Sequence, residues 1–153
     1  KYVGTKFAVG VNSGTDAIFL SLKALGIGPG DEAITVSHTF IATIQAIIHT
    51  GATPILVDVD EDELMNMNLL EKAITSKTRA VIPVHFHGKV CDMEKLYKVL
   101  AGRSIPIVED AAQALGAKLS DYFSVIRCYS FNFPTISSKT TYGKDSPSTS
   151  MTS

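Results

Sequence analysis

Two adjacent acids, Glu109 and Asp110, follow the apolar run Ile105–Val108 and precede Ala111-Ala112-Gln113-Ala114. An apolar run that ends in a carboxylate and small residues is the pattern of a buried parallel strand. Such a strand delivers its acid to the carboxyl end of a sheet, the edge at which open α/β sheets bind ligands. A carboxylate held there suits a cofactor that carries a proton on a ring nitrogen, and pyridoxal phosphate is such a cofactor. The same spacing also lets Asp110 cap a following helix, and the segment alone leaves both readings open.

A second group with chemistry in it is Asn12-Ser13-Gly14-Thr15-Asp16. Backbone amides at a helix start, a glycine that admits a ligand and a hydroxyl together make a phosphate site. A well-capped helix with Ser13 or Asp16 as the cap explains the same residues. Neither GxGxxG nor GxxxxGK[ST] occurs, which argues against a dinucleotide or P-loop site. Phe40 stands where a helix follows a strand, either as core or against a flat ring. His85 and His87 flank Phe86 after another strand. No third ligand stands at a recognisable spacing, so they read as polar contacts at the sheet edge and no metal is expected. Glu61-Asp62-Glu63 reads as a solvated turn.

These residues need a scaffold, and the hydrophobic pattern supplies one. Short strands are expected at Phe7–Val11, Ala33–Val36, Ile55–Val59, Ala80–Val84 and Ile105–Val108. Helices are expected after the turn Asn12–Asp16 to about Leu25, from about Phe40 to His49, from an Asn68 cap through Ile74, and from Asp92 to Leu100. Strand and helix alternate throughout. That order predicts an α/β fold, a mostly parallel sheet flanked by helices on both faces. From Ile136 onward the periodicity disappears and Ser and Thr dominate, so the tail reads as disordered.

Bulk composition excludes several classes. The 153 residues are 45% apolar and 19% charged, which fits a globular domain, and the formal net charge of −1 offers no basic surface for nucleic acid or an anionic membrane. No apolar run approaches a membrane span and no signal peptide is evident, so a cytoplasmic protein is expected. Cys91 and Cys128 match no zinc or CxxC spacing and read as buried thiols. The chain opens at Lys1-Tyr2 almost directly into structure and so reads as a piece of something longer.

The order of the segments is more specific than any one of them. Val11-Asn12-Ser13-Gly14-Thr15-Asp16-Ala17, Gly28-Pro29-Gly30-Asp31-Glu32, His38-Thr39-Phe40-Ile41-Ala42-Thr43 and Gly51-Ala52-Thr53-Pro54 follow one another. Val57-Asp58-Val59-Asp60, Pro83-Val84-His85, Gly88, Asp92-Met93 and the Val108–Ala114 segment complete the series. This set resembles the DegT/StrS-type sugar aminotransferases, pyridoxal-phosphate enzymes with the aspartate-aminotransferase fold. The resemblance runs from Lys1 to about Phe133. It implies that Gly14 and Thr15 bind the cofactor phosphate, that Phe40 stacks on the pyridine ring and that Asp110 pairs with the ring nitrogen. It further implies that Gln113 contacts the ring hydroxyl and that Ser130 is a second phosphate ligand. The implied reaction moves an amino group, usually from glutamate, to a keto group on a nucleotide-linked sugar, and the implied assembly is a homodimer.

The sequence departs from the family where the Schiff-base lysine is expected. The segment reads Ser130-Phe131-Asn132-Phe133-Pro134-Thr135-Ile136-Ser137-Ser138-Lys139. No lysine follows the Ser-Phe pair at the family's spacing, and Lys139 is the candidate that remains. The expectation is a partial cofactor-binding domain over residues 1–133, an out-of-frame tail over 134–153 and no C-terminal small domain. A chain of that kind is expected to lack turnover. The alternative is a divergent enzyme that uses Lys139.

Overall fold

The computed structural model describes residues 7–117 and 126–128. The elements run α1 (Gly14–Ala24), β1 (Glu32–Val36), α2 (Ile41–Thr50), β2 (Thr53–Val57), α3 (Met67–Ala73), β3 (Thr78–Ile82), α4 (Met93–Leu100), β4 (Val108–Asp110) and β5 (Ile126–Cys128). A single 3-10 turn, Phe86–Gly88, interrupts the loop after β3.

Among the described residues every pairing between named strands is parallel. β1 lies between β2 and β3, and β4 pairs with β5. Parallel bridges Val81–Ile107 and Val84–Asp110 join the two groups, so the order is β2-β1-β3-β4-β5. After β1 the chain steps outward to β2, then returns across β1 to β3. The crevice between β1 and β3 is therefore a topological switch point, where ligands of such sheets bind at the carboxyl ends.

Side chains along each strand alternate between two cores, as the two-residue period demands. Ile34, Val36, Val81 and Ile107 join Met67, Leu70, Met93, Leu96 and Leu100 beneath α3 and α4. Ala33, Ala80, Ile82 and Val108 join Ile18, Leu22, Ala46 and Ile47 beneath α1 and α2. Cys91 and Cys128 are both free and buried, one in each core. α2 ends at Gly51, whose φ is +90°. Any Cβ there would stand 2.8 Å from Pro29 Cγ, so the turn into β2 requires glycine.

Three expectations are corrected. Phe7–Val11 forms no strand, and Phe7 and Val9 are 79% and 85% exposed. A parallel strand is stable only beside a neighbour, and none of the described strands pairs with this segment. The third helix starts earlier, because Asn66 is its cap and accepts from the Leu69 amide, while Asn68 lies inside the helix. The fourth strand of the switch-point series is Val108–Asp110 and contains both acids. Pro106 has no N–H for the ladder, so regular pairing starts only beyond it. Turns rather than a helix follow Asp110 among the described residues, so the carboxylate is not a helix cap. No described helix is long and apolar enough to cross a membrane.

Candidate functional site at the carboxyl edge of the sheet

Asp110 is the last residue of β4 and is 8% exposed. Its backbone is tied into the sheet on both sides of the peptide. The Asp110 amide donates to Pro83 O at 2.9 Å, and its carbonyl accepts from the His85 amide at 3.0 Å. Its carboxylate accepts from the Thr43 hydroxyl at Oδ2, 2.7 Å, and from the Ala112 amide at Oδ1, 3.2 Å. No lysine, arginine or histidine among the described residues forms an ion pair with it. A carboxylate so far out of water, met by one hydroxyl and one amide, keeps a lone pair on each oxygen for a cationic N–H.

The preceding residue faces the other way. Glu109 is 1% exposed and its Oε2 lies 2.8 Å from His85 Nε2, itself 3% exposed. The Cys91 amide donates to His85 Nδ1 at 3.2 Å. Nδ1 is thus an acceptor, which puts the ring proton on Nε2, and Nε2–H donates to Glu109. This pair locks β4 to the loop after β3 beneath the α3/α4 core.

α2 begins just after β1 and brings two site residues on one turn. Phe40 is its N-cap, is 72% exposed and makes no side-chain cap bond. A phenyl ring that exposed is not core, and it leaves an aromatic face at the edge beside Asp110's partner, Thr43. The Thr43 amide donates to Phe40 O at 3.1 Å, which fixes their spacing.

Gly14 and Thr15 form the first turn of α1, half-buried, behind the cap Ser13. Ser13 Oγ accepts from the Asp16 amide at 3.0 Å, so the capping expectation holds for Ser13. α1 runs toward the turn that leads into the start of β1, so its first turn lies at the carboxyl edge with Asp110. Its amides and dipole suit an anion there, although Asp16 adds a negative charge to the same turn.

Gln113 accepts from the His87 amide at Oε1, 2.9 Å. Since an amide N–H must meet an oxygen, the carboxamide orientation is fixed and Nε2 is its donor end. His87 is held at φ +53°, a left-handed conformation that a side chain rarely adopts. Phe86 stands between His38 and His87, with ring centroids 4.3 and 4.2 Å away. Among the described residues no group of three His, Cys, Asp or Glu side chains is placed to hold a metal. Glu61, Asp62 and Glu63 are exposed, in the turn that was expected of them.

The topology thus puts Gly14, Thr15, Phe40, Asp110 and Gln113 each on the carboxyl side of the sheet, at a helix start or after a strand. Ser130 and Lys139 lie outside the described residues. Sequence reasoning missed Thr43, Thr39 and the pairing of Glu109 with His85. The signal for Thr43 was its place three residues after Phe40, within the first turn of α2.

Comparison with known proteins agrees with the fold. Residues 1–140 match the DegT/DnrJ/EryC1/StrS aminotransferase family, a match that extends past Phe133 and takes in Lys139. The chain is 52% identical over 115 residues to the spore coat polysaccharide biosynthesis protein SpsC of Bacillus subtilis, covering 74% of this chain and 30% of that protein. It is 52% identical over 118 residues to a dTDP-3-amino-3,4,6-trideoxy-alpha-D-glucose transaminase of Streptomyces venezuelae, covering 76% of this chain and 31% of the relative. The crystal structure of S. venezuelae DesV in complex with a ketimine intermediate superposes with a TM-score of 0.73 at 52% identity, over 75% of this chain and 31% of that one. The chain thus spans about a third of the length of the relatives it matches.

Proposed function

We propose a function from one premise: this chain belongs to the DegT/DnrJ/EryC1/StrS aminotransferase family. On that premise it carries the cofactor-binding part of a pyridoxal-phosphate-dependent transaminase. The substrate is a keto-sugar linked to a nucleotide, in line with the dTDP-sugar transaminase it resembles. The amino donor is glutamate, the working assembly is a homodimer and the compartment is the cytoplasm.

The observation that carries this reading is Asp110, a buried carboxylate at the switch-point edge with no cationic partner among the described residues. That donor set fits a protonated pyridine nitrogen. When bound, the cofactor supplies an electron sink for the substrate carbon that loses its proton. Asp110 holds the proton on the ring nitrogen. Phe40 covers one face of the ring and excludes water from it. Gly14 and Thr15 bind the phosphate at the start of α1, and the family resemblance assigns Ser130 as a further phosphate ligand. Gln113 donates from Nε2 to the ring hydroxyl while its Oε1 stays with His87.

One observation favours a second reading without turnover. After Ser130-Phe131 the first lysine is Lys139, later than the family's spacing. In that reading the chain binds the cofactor through the same contacts and does not transaminate. Lys139 is the residue that separates the two. The full chain is titrated with pyridoxal phosphate, reduced with borohydride and digested for mass spectrometry. Saturable binding with a covalent adduct on Lys139 supports the enzyme. Saturable binding without it supports the second reading. A folded chain that binds neither pyridoxal phosphate nor pyridoxamine phosphate overturns both.

A further inference from the structure

Three hydroxyl and carboxylate groups from two distant elements form one chain at the edge of the sheet. Thr39 Oγ1 lies 2.9 Å from Thr43 Oγ1, and Thr43 Oγ1 lies 2.7 Å from Asp110 Oδ2. An ionised carboxylate only accepts, so Thr43 must donate to Asp110. Its single proton is then committed, and Thr43 must accept from Thr39. The direction of the chain is fixed from Thr39 through Thr43 to Asp110. Thr43 is 1% exposed, so water does not compete for its hydroxyl.

We propose that Thr43 is a positioning residue for the cofactor. Its hydroxyl, oriented by Thr39, fixes the rotamer of Asp110 and so the direction in which the carboxylate meets a protonated pyridine nitrogen. This inference rests on the cofactor reading above. Two consequences make it more than a packing contact. The bond to Oδ2 and the Ala112 amide on Oδ1 together prevent rotation of the carboxylate about its own axis. The bond also gives Oδ2 of a buried carboxylate its side-chain donor, which would otherwise be missing among the described residues. Phe40 and Thr43 share the first turn of α2, linked by the Thr43 amide to Phe40 O. One helix start therefore sets both the ring's stacking face and the acid that meets the ring's edge.

The chemistry also explains the residue type. Valine has the same shape as threonine and no donor, so it would leave Oδ2 of a buried carboxylate unsatisfied. Serine keeps the donor and loses one methyl.

The test uses the full chain and pyridoxamine 5′-phosphate labelled with 15N in the ring, a probe that needs no Schiff-base lysine. Affinity is read by fluorescence titration, ring-nitrogen protonation by the 15N shift, and folding by thermal unfolding of the unliganded chain. Thr43→Val is expected to weaken binding about tenfold and to move the 15N shift toward the unprotonated ring. Thr43→Ser is expected to restore both, and Thr39→Val to give a smaller change in the same direction. Wild-type binding with Thr43→Val unchanged in affinity and shift overturns the inference and leaves the cofactor reading standing. A folded wild-type chain that does not bind overturns both. Should Thr43→Val not fold, Thr39→Val decides: a weakened affinity and a moved 15N shift support the relay, and wild-type values overturn it.

Discussion

The two faces of this sheet differ in what fills them, and the difference meets at two adjacent acids. The α3/α4 face is packed with large side chains: Met65, Met67, Leu70, Met93, Leu96 and Leu100. The α1/α2 face is packed with small ones, Ala33, Ala46, Ala52 and Ala80, around Ile18, Leu22 and Ile47. Small residues let α1 and α2 lie close to the strands and bring their first turns to the carboxyl edge. Glu109 and Asp110 are neighbours in one strand and therefore point to opposite faces. Glu109 meets a buried histidine on the bulky side. Asp110 meets a threonine hydroxyl on the side that holds the site. One acid is held by a side chain of the fold, and the other is the one that the proposed function gives to the cofactor.

That division is broken or sharpened first by removing each acid. Glu109→Ala leaves the Nε2–H of His85 buried without its acceptor. A loss of about 3 kcal/mol in unfolding free energy is expected, measured by urea titration at neutral pH. The affinity of the molecules that remain folded should change far less. Asp110→Asn should do the reverse. It keeps the shape and the Thr43 contact but removes the charge that a pyridinium needs. Affinity for pyridoxamine phosphate should fall about a hundredfold, with stability lowered by only about 1 kcal/mol through the Ala112 amide, which loses its acceptor when Oδ1 becomes an NH2. If Asp110→Asn proved the more destabilising of the two, the faces would not divide the labour as their contacts suggest.

The legibility of the two acids differed in the same way. Asp110 was readable because an apolar run followed by an acid has few meanings in an α/β pattern. The alternation of strand and helix and the Ser13 cap were readable too, since both are local. The partners of the acids were not. Thr43 lies 67 positions from Asp110, and His85 lies 24 positions from Glu109. His85 could be placed at the sheet edge from its own neighbourhood, yet its pairing depends on which way residue 109 faces, which only register decides. Phe7–Val11 failed for a related reason. Its composition is that of a strand, yet its side chains are exposed and it joins none of the described strands. Asn66 and Asn68 are both good caps by type, and Asn66 is the one whose amide is bound outside the helix, by Asp58 O, a contact eight residues back that its own neighbourhood does not show.

Phe40 gives a smaller effect and tests the site-bearing face alone. At 72% exposure its ring contributes little to the core. Phe40→Ala should leave the unfolding midpoint nearly unchanged and weaken cofactor binding roughly tenfold through the lost stacking. Phe40→Tyr should bind like wild type. A large fall in stability from Phe40→Ala would place the ring in the core and remove it from the site.

The two cysteines give the finest comparison, because one sits in each core. Burial pushes the thiols of both Cys91 and Cys128 up to about 11 from an ordinary 9.0. A raised thiol pKa means that the fold binds the proton more tightly than the unfolded chain does. Their share of stability is therefore complete below about pH 9 and is lost as pH rises from there toward 11. The urea midpoint should fall between pH 8 and pH 10, and the fall should shrink in Cys91→Ala and in Cys128→Ala alike. Alkylation at pH 8 distinguishes the faces further. Cys91 lies within the larger core and donates to Val84 O at 3.2 Å. Cys128 lies on the three-residue β5, whose contact with α1 includes a 3.7 Å approach of Ser21 Oγ. Local opening of a short strand at the end of the described sheet requires less free energy than opening the α3/α4 core. Cys128 should therefore be modified first, and the gap should widen when pyridoxamine phosphate is absent. Equal rates at both thiols would mean that the two faces open together and that the site-bearing face has no independent mobility.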